Sequence, residues 1–315
     1  MKTESNLGLE LVSSFRRNFF QLVLIDYGLP KVVRMRRGTL LVLAVELSKE
    51  LQLHTADKRV GVVLPPGIAG VLTNVALVLA HKIPVNLNFT LGSENVSYSI
   101  DKAEIKTIIS AQVLKEKLPD FPWNEDFFDI SKWIKKRRKN KFYLFWRHLF
   151  TFFCPLRFLL SKSAKSCKLQ EEAVLLFTSG SSGNPKGVPL SHGNLLSNCD
   201  QINRLELFAP QTTMLANLPL FHSFGFTVST LYPLLFDLLI VCVPSPLDVK
   251  LSLLAVEKEK VKILLGTPTF LRGYLRKARK KQLSSLGFII AGAEKTHKGF
   301  KEKWEDLCPC NYLEG

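Results

Sequence analysis

The chain reads as an α/β fold of layered parallel sheets flanked by helices, and three observations predict it. Short apolar, β-branched runs bounded by Gly, Pro and Asn recur along the sequence, with apolar-periodic helical segments between them. A loop rich in glycine and hydroxyls follows directly on one of these runs, and parallel sheets gather ligands at strand carboxyl ends. Finally, 315 residues with 46% hydrophobic and 22% charged content supply a sizeable core for one large domain or two smaller ones.

The elements follow in order. Residues 1–10 are polar and the apolar stretch after them is interrupted by Arg16 and Arg17, so no signal peptide is read. Thr39 is the expected N-cap of a helix over 40–53. A buried-type strand over 60–64 ends at Pro65-Pro66-Gly67, an apolar helix runs to about 80, and the next strand covers 83–87. The strand pattern repeats at 106–110, 174–178, 239–243, 261–266 and 286–291. Ser191 is placed to cap a helix through 205. The long apolar stretch 224–243 is broken by Pro233 and Asp237, which favours a core helix and a central strand over a membrane span.

Charge is distributed unevenly. The formal net charge is +16, and residues 131–168 hold 12 Lys/Arg (132, 135–139, 141, 147, 157, 162, 165, 168) with no Asp or Glu, leaving +4 for the rest. This block leads into Phe142-Tyr143-Leu144-Phe145-Trp146-Arg147-His148-Leu149-Phe150-Thr151-Phe152-Phe153, interrupted by Arg147, Pro155 and Arg157 before it could cross a bilayer. Basic residues beside dense aromatics fit a helix lying in an anionic membrane interface. A solvated basic loop followed by a core helix is the alternative, and no nucleic-acid partner is expected because the run is greasier than a stacking platform needs. The six cysteines show no framework or metal-ligand spacing, so no metal site is expected from them.

The loop carries the chemistry. Leu175-Leu176-Phe177 run into Thr178-Ser179-Gly180-Ser181-Ser182-Gly183-Asn184-Pro185-Lys186-Gly187. Glycines let backbone N–H groups crowd an anion, hydroxyls add donors, and Lys186 adds a full positive charge. That combination describes a polyphosphate cradle, with ATP as its first ligand. It is not a Walker loop, because Pro185 precedes the lysine and Gly187 follows it. A dinucleotide fingerprint lacks its first glycine, since Thr178 stands there, and a nucleophile elbow does not fit. A flexible Ser/Gly turn is the plain alternative.

Those ten residues resemble the signature loop of the AMP-forming adenylating enzymes, and Ser191-His192-Gly193-Asn194 resembles the helix start after it. The resemblance implies that Thr178, Ser179, Gly180, Ser181, Ser182, Gly183 and Lys186 hold the phosphates while a carboxylate attacks the α-phosphate. Leu218-Pro219-Leu220-Phe221-His222-Ser223-Phe224-Gly225-Phe226 resembles a second family motif. It implies that His222 lies beside the reacting carboxylate, with Gly225 leaving room for an acyl chain and Phe226 beside it. Lys186 and His222 are thus the expected catalytic residues. Gly266-Thr267-Pro268 resembles an element lining the acyl pocket, which makes Thr267 a substrate-site candidate; a strand-to-helix turn is its structural alternative. Gly292, Ala293 and Glu294 resemble the adenine-binding turn, and Glu294-Lys295 is more similar to the acyl-acyl-carrier-protein synthetase and 2-acylglycerophosphoethanolamine acyltransferase branch.

The resemblance covers about 8–315, as the amino-terminal part of an adenylate-forming (AMP-binding) domain with a basic and aromatic insertion at 128–168. It implies ATP and Mg²⁺ as cofactors, with no metal ligand inside the chain. A fatty acid is the implied substrate, and CoA, acyl carrier protein or a lysophospholipid the acceptor. The family's α-phosphate threonine, Mg²⁺-binding glutamate, ribose aspartate and mobile lysine match nothing up to Asn311-Tyr312-Leu313-Glu314-Gly315, so little activity is expected of these residues by themselves. A separate carboxy-terminal half, a non-catalytic remnant and a membrane-surface binding protein stay open. The expected location is cytoplasmic, peripheral at the inner membrane face.

Overall fold

Strand side chains alternate between two cores, and this alternation sets the layers. In the computed structural model residues 6–178 and 183–314 are described. The strands are β1 (Leu22–Asp26), β2 (Val33–Arg36), β3 (Arg59–Val63), β4 (Ile83–Asn86), β5 (Thr107–Ser110), β6 (Asp126–Asp129), β7 (Glu172–Thr178), β8 (Lys186–Ser191), β9 (Thr213–Ala216), β10 (Leu239–Cys242), β11 (Ile263–Gly266), β12 (Phe288–Ala291) and β13 (Asn311–Glu314). They form a seven-stranded sheet in the order β13-β12-β11-β9-β10-β1-β2 and a six-stranded sheet in the order β6-β5-β3-β4-β7-β8.

Val62, Val174 and Leu176 of one sheet and Met214, Ile240 and Leu265 of the other enter a shared central core. Their neighbours turn outward by the two-residue period: Val63, Leu175 and Phe177 to one outer core, Leu215, Val241 and Leu264 to another. Helices Leu7–Arg17, Arg37–His54, Ile68–Leu79 and His192–Asn203 fill the space between the sheets. Ile68–Leu79 is apolar on nearly every side, as a helix packed all round must be. Helix Ser93–Lys102 covers the smaller sheet, while Val249–Lys258, Pro268–Lys277 and Phe300–Leu307 cover the larger. The result is five layers, helix–sheet–helix–sheet–helix.

The expected fold class stands, with two additions. The edge strands β2 and β8 are antiparallel to β1 and β7. β8 contains Gly187 and Pro189, which an edge position tolerates because one side of the strand needs no ladder bond. All seven expected strands form, and the helix capped by Ser191 carries a capping box with Asn194. The stretch after His222 is π-helical over Phe224–Leu231, turns α-helical over Tyr232–Leu235, and leads to β10.

Thr39 is not a cap. The helix starts three residues earlier than expected, at Arg37, because the main-chain carbonyls of Gln21 and Phe19 accept from Arg37 N (2.9 Å) and Gly38 N (2.8 Å). The Thr39 hydroxyl instead meets His148 Nε2 at 3.1 Å. The basic and aromatic segment forms two helices, Ile130–Lys139 and Lys141–Phe153, the second packed on Arg37–His54. Among the described residues no helix is long and apolar enough to cross a membrane.

Candidate active site

The carboxyl ends of both sheets open toward one region. Gly266, Ala291 and Glu314 are in register at the ends of β11, β12 and β13. β9 ends at Ala216, and the segment after it carries His222. From the other sheet, β4 and β7 end at Asn86 and Thr178. Thr178, Pro185, Phe177, Asn88 and His222 line one hollow between them.

The phosphate loop is the turn of a hairpin. Thr178, the last residue of β7, pairs with Lys186, the first of β8, and its hydroxyl donates to Lys186 O at 3.5 Å. Gly183 holds φ 126°, with no heavy atom within 4 Å of where a Cβ would stand, so the glycine answers to the turn and not to packing. Lys186 is exposed, and among the described residues its ammonium has no carboxylate partner. Ser179, Gly180, Ser181 and Ser182 lie outside the described residues.

His222 stands at the rim of the hollow, its ring tilted against that of Phe221 (4.9 Å between ring centres), which meets Phe89 edge-on at 5.5 Å. The ring opens to solvent, yet the surrounding protein strips enough water to lower its pKa below the usual histidine value. At neutral pH it is therefore an uncharged imidazole, donor at one nitrogen and acceptor at the other. Among the described residues neither nitrogen has a protein partner.

Gly225 does not leave a channel. A Cβ there would lie 2.1 Å from Pro219 O and 2.8 Å from Leu218 O, so the space is filled by main chain. Its carbonyl accepts from Ser229 Oγ (2.8 Å) and Thr230 Oγ1 (2.9 Å), which helps set the π-helical turn. Phe226 is buried in the central core. It faces a small apolar hollow among Leu7, Leu11, Val75 and Leu231, separate from the one at His222.

Thr267 caps helix Pro268–Lys277, accepting from Phe270 N at 3.4 Å, with Pro268 at its first position. Gly292 N donates to Gly266 O at 3.2 Å, which fastens the turn after β12 to the end of β11. Ala293 takes φ 66°, a left-handed conformation costing an alanine about 1 kcal/mol. Its neighbour Glu294 accepts from Thr269 Oγ1 (2.7 Å) and Thr269 N (3.2 Å) at that helix N-terminus. The Thr269 hydroxyl is the main cause of a Glu294 pKa below the usual carboxylate value. Thr269 and Asn88 were not singled out from the sequence. They sit two and three residues past a strand end (Asn88 after β4, Thr269 after β11), the position rule that located the loop.

Among the described residues one His/Cys/carboxylate group has metal-like spacing: His81, Cys167 and Glu171, with donor atoms within 4.8 Å of one another. It lies at the start of β7, about 20 Å along the strand from the phosphate loop. Burial and Glu171 push the Cys167 thiol up to about 12, and Glu171 is engaged by His81 (3.2 Å) and Lys168 N (2.8 Å). It therefore serves no role at the hairpin.

Comparison with known proteins gives the family and the fold. The sequence model of the family described as AMP-binding enzyme matches residues 41–315. A feruloyl-CoA synthase from Amycolatopsis sp. is 35% identical over 126 residues, which are 39% of this chain and 26% of that protein. A long-chain-fatty-acid–CoA ligase from Bacillus subtilis is 24% identical over 299 residues, 86% of this chain and 53% of the relative. Among solved structures, a fatty acyl-adenylate ligase from L. pneumophila, in complex with acyl adenylate and pyrophosphate, superposes with a TM-score of 0.76 at 19% identity, over 96% of this chain and 52% of that one. The chain thus spans between a quarter and about half of the length of such relatives.

Proposed function

Because the chain belongs to the AMP-binding enzyme family, we propose that its hairpin loop holds the β- and γ-phosphates of ATP beside a fatty-acid carboxylate seated at His222. One observation carries the reading. Thr178, the end of β7 in the smaller sheet, and Pro185, just before β8, line the same hollow as His222, which follows a strand of the larger. The residues at the two ends of the loop, Thr178 and Pro185, thus share an opening with an uncharged imidazole, and Lys186 is next to Pro185 in the chain.

The proposed reaction is displacement of pyrophosphate from ATP by the carboxylate, giving acyl-adenylate. The Lys186 ammonium, without a carboxylate partner among the described residues, fits a phosphate tail, and Gly183 gives the backbone the freedom to fold around it. Lys186 would offset negative charge on the departing pyrophosphate. The neutral His222 orients the carboxylate by hydrogen bonding. Gly292 and Ala293, tied to β11, would flank adenine, with Glu294 keeping the turn in place. Mg²⁺ would enter with the phosphates of ATP.

The fatty-acyl assignment draws on the B. subtilis and L. pneumophila relatives, while the feruloyl-CoA synthase shows that aromatic acids are used on similar sequences. CoA is the acceptor these relatives favour. Acyl carrier protein and a lysophospholipid are the competing acceptors, and the expected setting is the cytoplasmic side of a membrane.

Binding of non-hydrolysable acyl-sulfamoyl adenosines, mimics of an acyl-adenylate, tests the substrate class. Affinity should rise at least tenfold from the acetyl to the palmitoyl mimic, about 1.4 kcal/mol, and His222→Ala should weaken both. Equal affinity for the two mimics and for AMP would remove the fatty-acyl assignment.

A further inference from the structure

Helix Lys141–Phe153 has a mixed inner face that the fold uses and an apolar outer face that it does not. The inner face is fixed to helix Arg37–His54. Tyr143 donates to the Glu46 carboxylate and Arg147 forms an ion pair with it. Arg137, from the preceding helix, reaches Glu50 at 3.0 Å. The Phe152 ring meets Phe19 edge-on at 5.2 Å.

The outer face consists of Phe142, Phe145, Trp146, Leu149, Phe150 and Phe153, each between 41% and 74% exposed. At 3.6 residues per turn these six fall within an arc of about 140°, and no other residue of the helix falls inside it. Phe158 and Phe20 are also exposed, and the Phe20 ring lies 5.7 Å from that of Phe152. A helix on a solvent-facing surface ordinarily places polar groups on such an arc.

Cations flank it. Lys135, Lys136, Arg138 and Lys139 are exposed on the preceding helix, and Arg157 is exposed just after. The carboxylates touching these two helices are turned to structural work. Glu46 and Glu50 bind Arg147 and Arg137, and Asp129 accepts from Ser131 N (3.0 Å) and Lys132 N (3.2 Å) as the N-cap of Ile130–Lys139. Nothing acidic in 131–168 offsets the rim.

We propose that the outer face of helix Lys141–Phe153 lies in the interface of an anionic phospholipid bilayer, its aromatics among the upper acyl chains and the flanking lysines and arginines on headgroup phosphates. A 13-residue helix is about 20 Å long, too short to span and suited to lying in the plane. Charge selects the occupant. A second copy of the chain would set two basic rims against each other, and a nucleic-acid strand needs cations interleaved with the aromatics, whereas this arc holds none. The proposal stands apart from the nucleotide reading.

Flotation of the full chain with phosphatidylcholine vesicles, with and without about a third phosphatidylserine, tests it. Binding should be at least tenfold tighter to the anionic vesicles. Phe145→Glu with Phe153→Glu should abolish it, and Lys135→Glu with Lys136→Glu should reduce it at least tenfold. Brominated acyl chains should quench wild-type fluorescence, and Trp146→Phe should lose that quenching while still binding. Should the double glutamate variant fail to fold, this quenching decides alone. The proposal is overturned by equal binding to neutral and anionic vesicles, by unchanged binding of the folded glutamate variant, or by no quenching at Trp146. Binding of a single-stranded oligonucleotide without vesicle binding, or dimerisation through this face without it, would equally overturn it.

Discussion

The Glu294 carboxylate accepts hydrogen bonds from both the hydroxyl and the amide of Thr269, at 2.7 and 3.2 Å. Two loops at the ends of adjacent strands, β11 and β12, are thereby locked together. Glu294→Ala should weaken AMP binding several-fold while costing about 1 kcal/mol or less of folding stability. Calorimetric titration beside a urea melt separates the two effects. Since the Glu294 pKa is lowered on folding, its contribution is complete above the ordinary glutamate value of 4.5 and is lost as pH falls through the folded value. A variant with unchanged AMP affinity would show that the turn does not flank adenine.

Arg37 is wholly buried, with Nη1 3.0 Å from Asp237 Oδ1 and bonds to Leu234 O (3.1 Å) and Leu238 O (3.3 Å). It joins the start of one central helix to the turn before β10. Arg37→Ala strands the Asp237 carboxylate and should cost about 3–5 kcal/mol in a urea unfolding experiment. Asp237→Asn should cost less, because Arg37 keeps its carbonyl partners and Asn tolerates the φ of 63° found there. Equal losses would mean that the ion pair alone, without the carbonyl cage, holds this corner.

His192 opens helix His192–Asn203, is 4% exposed, and has a pKa lowered to about 4, chiefly because burial disfavours its charged form. The unfolded chain binds a proton near 6.5 that the folded chain refuses. Stability is therefore complete above pH 6.5 and falls as pH drops toward 4, by up to about 3 kcal/mol. His192→Gln should flatten this slope between pH 6.5 and 4 when urea midpoints are compared. An unchanged slope would assign it to other groups.

How much was legible follows from where the information lies. Strands buried on both faces, such as β3 and β7, announce themselves as continuous apolar runs. β2 and β8 do not: Val33-Arg34-Met35-Arg36 is short and half exposed, and Lys186–Ser191 contains Gly187 and Pro189, so each forms only against its partner. Thr39 satisfied the capping rule and lost to carbonyls at Phe19 and Gln21, which no local window includes. The site divides in the same way. The hairpin loop and His222 could be named from their own motifs, and Ser191 from its cap. Gly225 was read as open space because a glycine in sequence does not reveal which atoms stand against it, here Pro219 O. The bond from Thr269 to Glu294 joins two loops 25 residues apart and needed the parallel register of β11 and β12.

The most direct test of the phosphate cradle compares ATP with AMP. Calorimetric titration of both into the chain and into Lys186→Ala isolates the tail that only ATP carries. The variant should bind ATP at least tenfold more weakly, about 1.4 kcal/mol, and keep its AMP affinity within about twofold. Equal effects on the two nucleotides, or none on ATP, would contradict the assignment of the hairpin loop to the triphosphate.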